Sequence, residues 1–125
     1  MDPKELLKEF YLSEAFIKPE VMKKYIHPEI ELEWNSSKGF LKLYYDDFLA
    51  LSKEMGASYS NSDILIKDII SEGEKTVVRY DHFVETVENS HDHVLLAHFI
   101  VIWKLKDGKL HSGYQMTSLD KEMAV

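Results

Sequence analysis

From residue 62 onward the chain is almost wholly β-forming. Four runs rich in Ile, Val, Phe, Thr and Tyr lie at about 62–71, 75–88, 93–105 and 109–118. They are parted only by Gly73, by Glu88-Asn-Ser-His-Asp92 and by Asp107-Gly108. Links this short join antiparallel neighbours, and Asp-Gly between apolar runs is a tight-hairpin signal. A meander of this length has a face to bury and needs another layer to cover it.

The preceding half supplies the cover. Asp2-Pro3 is a helix start, and Leu6, Leu7, Phe10 and Tyr11 repeat at three-to-four spacing, so a first helix is predicted over about 3–17. Pro19 opens a second short helix with Met22, Tyr25 and Ile26 on one side, closed by His27-Pro28. Ile30, Leu32 and Trp34 alternate with glutamates, as in a short half-buried strand. Ser36-Ser37-Lys38-Gly39 is a turn, after which Phe40, Leu41, Tyr44, Tyr45, Phe48, Leu49 and Met55 form the stripe of a third helix ended by Gly56. The expected class is α+β, with three N-terminal helices packed on a curved antiparallel sheet.

A chain of 125 residues reads as one domain, 1–125. Its 15 basic and 22 acidic residues leave a formal charge of −7, which argues against nucleic acid and anionic membrane as partners. The absence of cysteine excludes disulfides, thiol catalysis and thiolate metal sites. With no apolar run of membrane length and no leader pattern, a cytoplasmic location is expected. His91-x-His93 has a metal-ligand spacing, but it falls in a turn without a useful third ligand, so neither a metal nor another cofactor is expected.

The segments Trp103-Lys-Leu-Lys-Asp-Gly-Lys-Leu110, Tyr114-Gln-Met116 and Tyr25-Ile-His-Pro-Glu-Ile-Glu-Leu-Glu-Trp34 together resemble the nuclear transport factor 2-like (NTF2-like) superfamily. That superfamily includes the SnoaL-like polyketide cyclases, ketosteroid isomerase and limonene epoxide hydrolase. The resemblance covers nearly the whole chain by element order and implies a cone-shaped, cystatin-like fold with a pocket between sheet and helices. With Gly108 as the anchor of the turn, Trp103, Val101, Phe99 and Ala97, two apart in succession, share one face of the fourth run. The resemblance turns that face into the cavity, together with Gly113, Gln115 and Thr117, and with Arg79, Asp81 and Phe83. It leaves Tyr80, His82, His98, Ile100, Ile102, Tyr114 and Met116 outside, an apolar patch through which a homodimer is expected.

Arg79 and Asp81, two apart on one strand, can form a charged pair; its fate is a sheet-fixing salt bridge, a dimer contact or a ligand-facing role. The pair resembles that of limonene epoxide hydrolase, but Gln115 stands where the second aspartate would fall, and Leu32 and Trp34 replace the water-holding residues. The corresponding ketosteroid isomerase positions land near Phe10, on Trp34 and on Val101. The resemblance therefore implies a small-molecule-binding protein with a cavity for a largely apolar ligand. As an enzyme it would be a hydrolase, isomerase or cyclase, with Asp81 moving a proton, Arg79 stabilising negative charge and Gln115 orienting the substrate. Trp34, Phe83, Phe99, Val101 and Trp103 would form the walls. The alternative is a non-catalytic ligand- or protein-binding homodimeric module. A one-residue slip of register would exchange Arg79 and Asp81 for Tyr80 and His82 as the lining set.

Overall fold

A computed structural model describes residues 2–89 and 91–119. The elements run α1 (Pro3–Leu12), α2 (Pro19–Met22), β1 (Ile26–Ser36), β2 (Gly39–Tyr44), α3 (Tyr45–Ser58), β3 (Tyr59–Glu72), β4 (Lys75–Thr86), β5 (His93–Lys106) and β6 (Lys109–Leu119). All six strands form one sheet in the order β2-β1-β6-β5-β4-β3. Its pairings are antiparallel except that β1 runs parallel to β6, so the sheet is mixed rather than wholly antiparallel.

Local chemistry sets the boundaries. Asp2 accepts the Glu5 N–H at 2.9 Å and starts α1. The helix stops earlier than its spacing suggests because Ser13 bonds back to the Phe10 carbonyl at 2.6 Å and takes the Ala15 N–H at 3.1 Å. Asp107 (φ 55°) and Gly108 (φ 71°) both adopt the left-handed conformation that a two-residue hairpin needs, as the sequence predicts. The segment Phe40–Tyr44 is not helical: it pairs with β1 as Asn35↔Phe40 through Glu31↔Tyr44. Its apolar run suited either structure, and backbone pairing with the neighbouring strand decides it. The third helix begins only at Tyr45, where Asp47 accepts the Tyr44 N–H at 2.8 Å.

The core lies between the inner face of the sheet and the helices. Leu7, Phe10 and Tyr11 of α1 share one side and pack toward Tyr80, Val78, Val101 and Trp103. At Gly113 an added Cβ would come within 2.6 Å of the Trp103 ring and 2.7 Å of Leu32 Cδ1, so the indole occupies the space of a missing side chain.

Candidate functional site

The two layers leave a cavity of about 230 Å³ between them. The helical side contributes Phe10, Tyr11, Phe16 and Phe48; the sheet contributes Trp34, Tyr80, His82, Phe99, Trp103 and Gln115. Half of the lining side chains are aromatic, and among the described residues no Asp, Glu, Lys or Arg reaches the wall. Tyr80 and Phe99, opposite each other on β4 and β5, stack at 4.8 Å with planes 6° apart.

The polar groups in this wall are mostly committed to protein partners. Trp103 Nε1 donates to the Tyr11 hydroxyl at 2.8 Å, and Tyr80 is hydrogen-bonded to the same phenol. Burial pushes both phenols upward, so they stay neutral. His82 Nε2 lies 2.6 Å from Ser62 Oγ. Burial lowers its pKa to about 4 against the weaker opposing pull of Asp63, so this imidazole is neutral at physiological pH. Trp34 Nε1 donates to Thr117 Oγ1 at 2.6 Å, and Ser52 donates to the Ala15 carbonyl at 2.6 Å. Gln115 differs. It is 7% exposed and lines the cavity, yet among the described residues its amide has no hydrogen bond.

Arg79, Asp81 and Phe83 are not in the cavity. Thr76, Val78, Tyr80, His82 and Val84 face inward on β4, so the odd-numbered side chains point outside. Arg79 Nε binds Asp68 at 2.6 Å with both side chains half exposed. Asp81 is pinned on the outer face by His98 Nδ1 at 2.7 Å and Lys67 Nζ at 3.5 Å. Its burial would raise the carboxyl pKa, but the hydrogen bond from His98 and the nearby Lys67 ammonium reverse the sign and hold it below its usual value. Phe83 stacks on His93 at 4.9 Å. This facing of β4, opposite to the expected one, has a simple cause: the other register would send Arg79 and Asp81 among aromatic rings and turn Tyr80 and Val78 to water.

Of the remaining expected wall residues, Trp34, Phe99, Trp103 and Gln115 line the cavity, while Val101 is buried in the core without lining it. Tyr80 and His82 leave the expected outer patch, where His98, Ile100, Ile102, Tyr114 and Met116 stay exposed. Tyr11 is a wall residue beyond those the sequence pattern marks as site residues, and its i, i+4 relation to Leu7 is the signal that places it on the inward side of α1.

A mixed sheet curled around an apolar cavity and closed by short helices has counterparts among solved structures. AclR, a candidate hydroxylase from Streptomyces galilaeus, superposes with a TM-score of 0.75 at 14% identity, covering 97% of this chain and 81% of that one. IdmH, a candidate polyketide cyclase from Streptomyces antibioticus, gives 0.71 at 13% identity over 94% and 92%. A hypothetical protein of ketosteroid isomerase-like fold from Catenulispora acidiphila, in complex with trimethylamine, gives 0.74 at 10% identity over 99% and 92%. No protein-family model matches the chain, and no curated protein matches it. The chain has the NTF2-like fold shared by SnoaL-like and ketosteroid isomerase-like proteins. Among its described helices, none is long and apolar enough to cross a membrane.

Proposed function

We propose that this chain binds an uncharged, largely apolar molecule of one or two rings in the cavity between sheet and helices. The observation that carries this reading is an aromatic wall with no fixed charge. A charged ligand would be stripped of water there with no counter-ion to receive it. Size narrows the choice: a cavity of about 150 Å³ accepts benzene, so one of about 230 Å³ suits a bicyclic molecule. Candidate cyclase and hydroxylase assignments among the structural neighbours are consistent with such a pocket. The wall suits binding rather than turnover. No carboxylate reaches the cavity among the described residues, and proton transfer would fall to a weakly basic imidazole and to the phenols of Tyr59 and of Tyr11 and Tyr80, the last two held neutral.

Titration with neutral bicyclic aromatics, followed by the fluorescence of Trp34 and Trp103, tests the reading. Saturable quenching and a rise in Tm are expected, because a ligand at 100 times its Kd stabilises the native state by about 2.7 kcal/mol. A folded protein that shows neither response, or that prefers anionic analogues of the same size, refutes it. We also propose a homodimer through Ile100, Ile102, Tyr114 and Met116, which form two cross-strand pairs of exposed apolar side chains on β5 and β6. Monomeric light scattering at tens of micromolar, a range suited to ordinary interfaces, refutes that assembly.

A further inference from the structure

Building on the proposed neutral-ligand pocket, we infer that Gln115 selects a ligand carrying a lactam or carboxamide edge. The side chain is 7% exposed and stands on β6 between Trp34 of β1 and Val101 of β5. No fully buried side-chain nitrogen or oxygen among the described residues lacks a partner. An amide without a protein hydrogen bond is therefore open to the cavity it lines rather than sealed in the core. Its neighbours do not compete for it. The indole N–H of Trp34 goes to Thr117, that of Trp103 to Tyr11, and the His82 ring to Ser62.

A primary amide presents a carbonyl acceptor and an N–H donor side by side. The group that satisfies both at once offers an N–H beside a C=O, as a cyclic amide or primary carboxamide does. A carboxylate offers acceptors only and brings a charge that the wall does not neutralise; a simple heteroaromatic nitrogen satisfies one half of the pair. The ligand class is thus a neutral aromatic lactam of two rings, with 2-quinolone as the simplest probe.

Isothermal titration calorimetry of the full chain with 2-quinolone and with quinoline, for wild type and Gln115→Leu, tests this. Wild type is expected to bind the lactam about tenfold more tightly than quinoline, the worth of one additional good hydrogen bond in an apolar site. Gln115→Leu should lose that preference and bind the two probes about equally, while the Tm of the free protein holds. Equal affinity of wild type for both probes, or a lactam preference that survives in Gln115→Leu, overturns the assignment and leaves the pocket reading intact. If neither probe binds wild type, the pocket reading itself fails and the assignment with it.

Discussion

The two faces of β4 are built from the same dozen residues and obey opposite rules. Inward, Val78, Tyr80, His82 and Val84 are buried and uncharged at neutral pH, and their partners are rings and hydroxyls. Outward, the half-exposed Arg79 is paired with Asp68, and the largely buried Asp81 is held by a hydrogen bond to His98 and by Lys67. The difference teaches where this chain can do selective chemistry. A half-exposed ion pair such as Arg79–Asp68 is worth little and discriminates little, whereas one polar group in an apolar, aromatic wall must be matched or left unsatisfied.

The contrast predicts a steep order of mutational effects. Tyr80→Ala removes a fully buried ring, its stack on Phe99 and a hydrogen bond to Tyr11, so a loss of about 3–5 kcal/mol in urea unfolding is expected. A loss below about 1 kcal/mol would mean that the inner face is not packed as described.

Protonation separates the faces next. The His82 pKa falls from 6.5 to about 4 on folding, so between these values the unfolded chain takes up a proton that the native chain refuses. Stability should therefore be complete above pH ~6.5, decline as the pH drops toward ~4 by up to about 3 kcal/mol, and level off below. His82→Phe removes this decline, and parallel wild-type and variant curves would contradict it. Asp81 acts lower on the scale: its native pKa lies beneath the ordinary carboxylate value, so its stabilising share is present above that value and disappears as the pH falls through the depressed one.

Gly113→Ala should come third. Its new methyl would meet the Trp103 ring, which itself anchors Tyr11, and overpacking of this kind costs about 1–3 kcal/mol. Neutral-ligand binding should weaken with it, because Trp103 is part of the cavity wall. Unchanged stability and binding would show that the indole can move aside freely.

What the sequence revealed, and what it hid, follows from how register is fixed. The facing of β5 and β6 was legible because the two-residue turn Asp107-Gly108 keeps the strands adjacent with a single irregularity at Lys104–Leu105, and Trp103, Phe99 and Gln115 do line the cavity. That of β4 was not, since its link to β5 runs from Thr86 to His93 and a bulge at His82–Phe83 resets the count. The alternation within β4 held the answer: Lys75, Arg79, Asp81 and Glu85 all fall on odd positions, and Val78, Tyr80 and Val84 on even ones. The resemblance to limonene epoxide hydrolase favoured the other phase, and the burial cost of an Arg–Asp pair outweighs it. The β2 strand was hidden for a different reason. Phe40-Leu41-Lys42-Leu43-Tyr44 fits a helical stripe or a strand equally well, and only its pairing with β1, which is not written in the run itself, chooses between them.

The smallest predicted effect is the most direct probe of the facing of β4. Arg79 and Asp68 are both half exposed, and pairs of this kind contribute roughly 0–1 kcal/mol. Arg79→Ala should therefore shift the urea midpoint by little and leave the affinity for a neutral bicyclic ligand unchanged. Raising the salt concentration should erase what small shift there is, because screening acts on exposed pairs first. Were Arg79 in the cavity, the same change would strand a carboxylate among aromatic rings, and both stability and binding would collapse together. A single alanine variant thus distinguishes the two registers of β4 by the size of its effect.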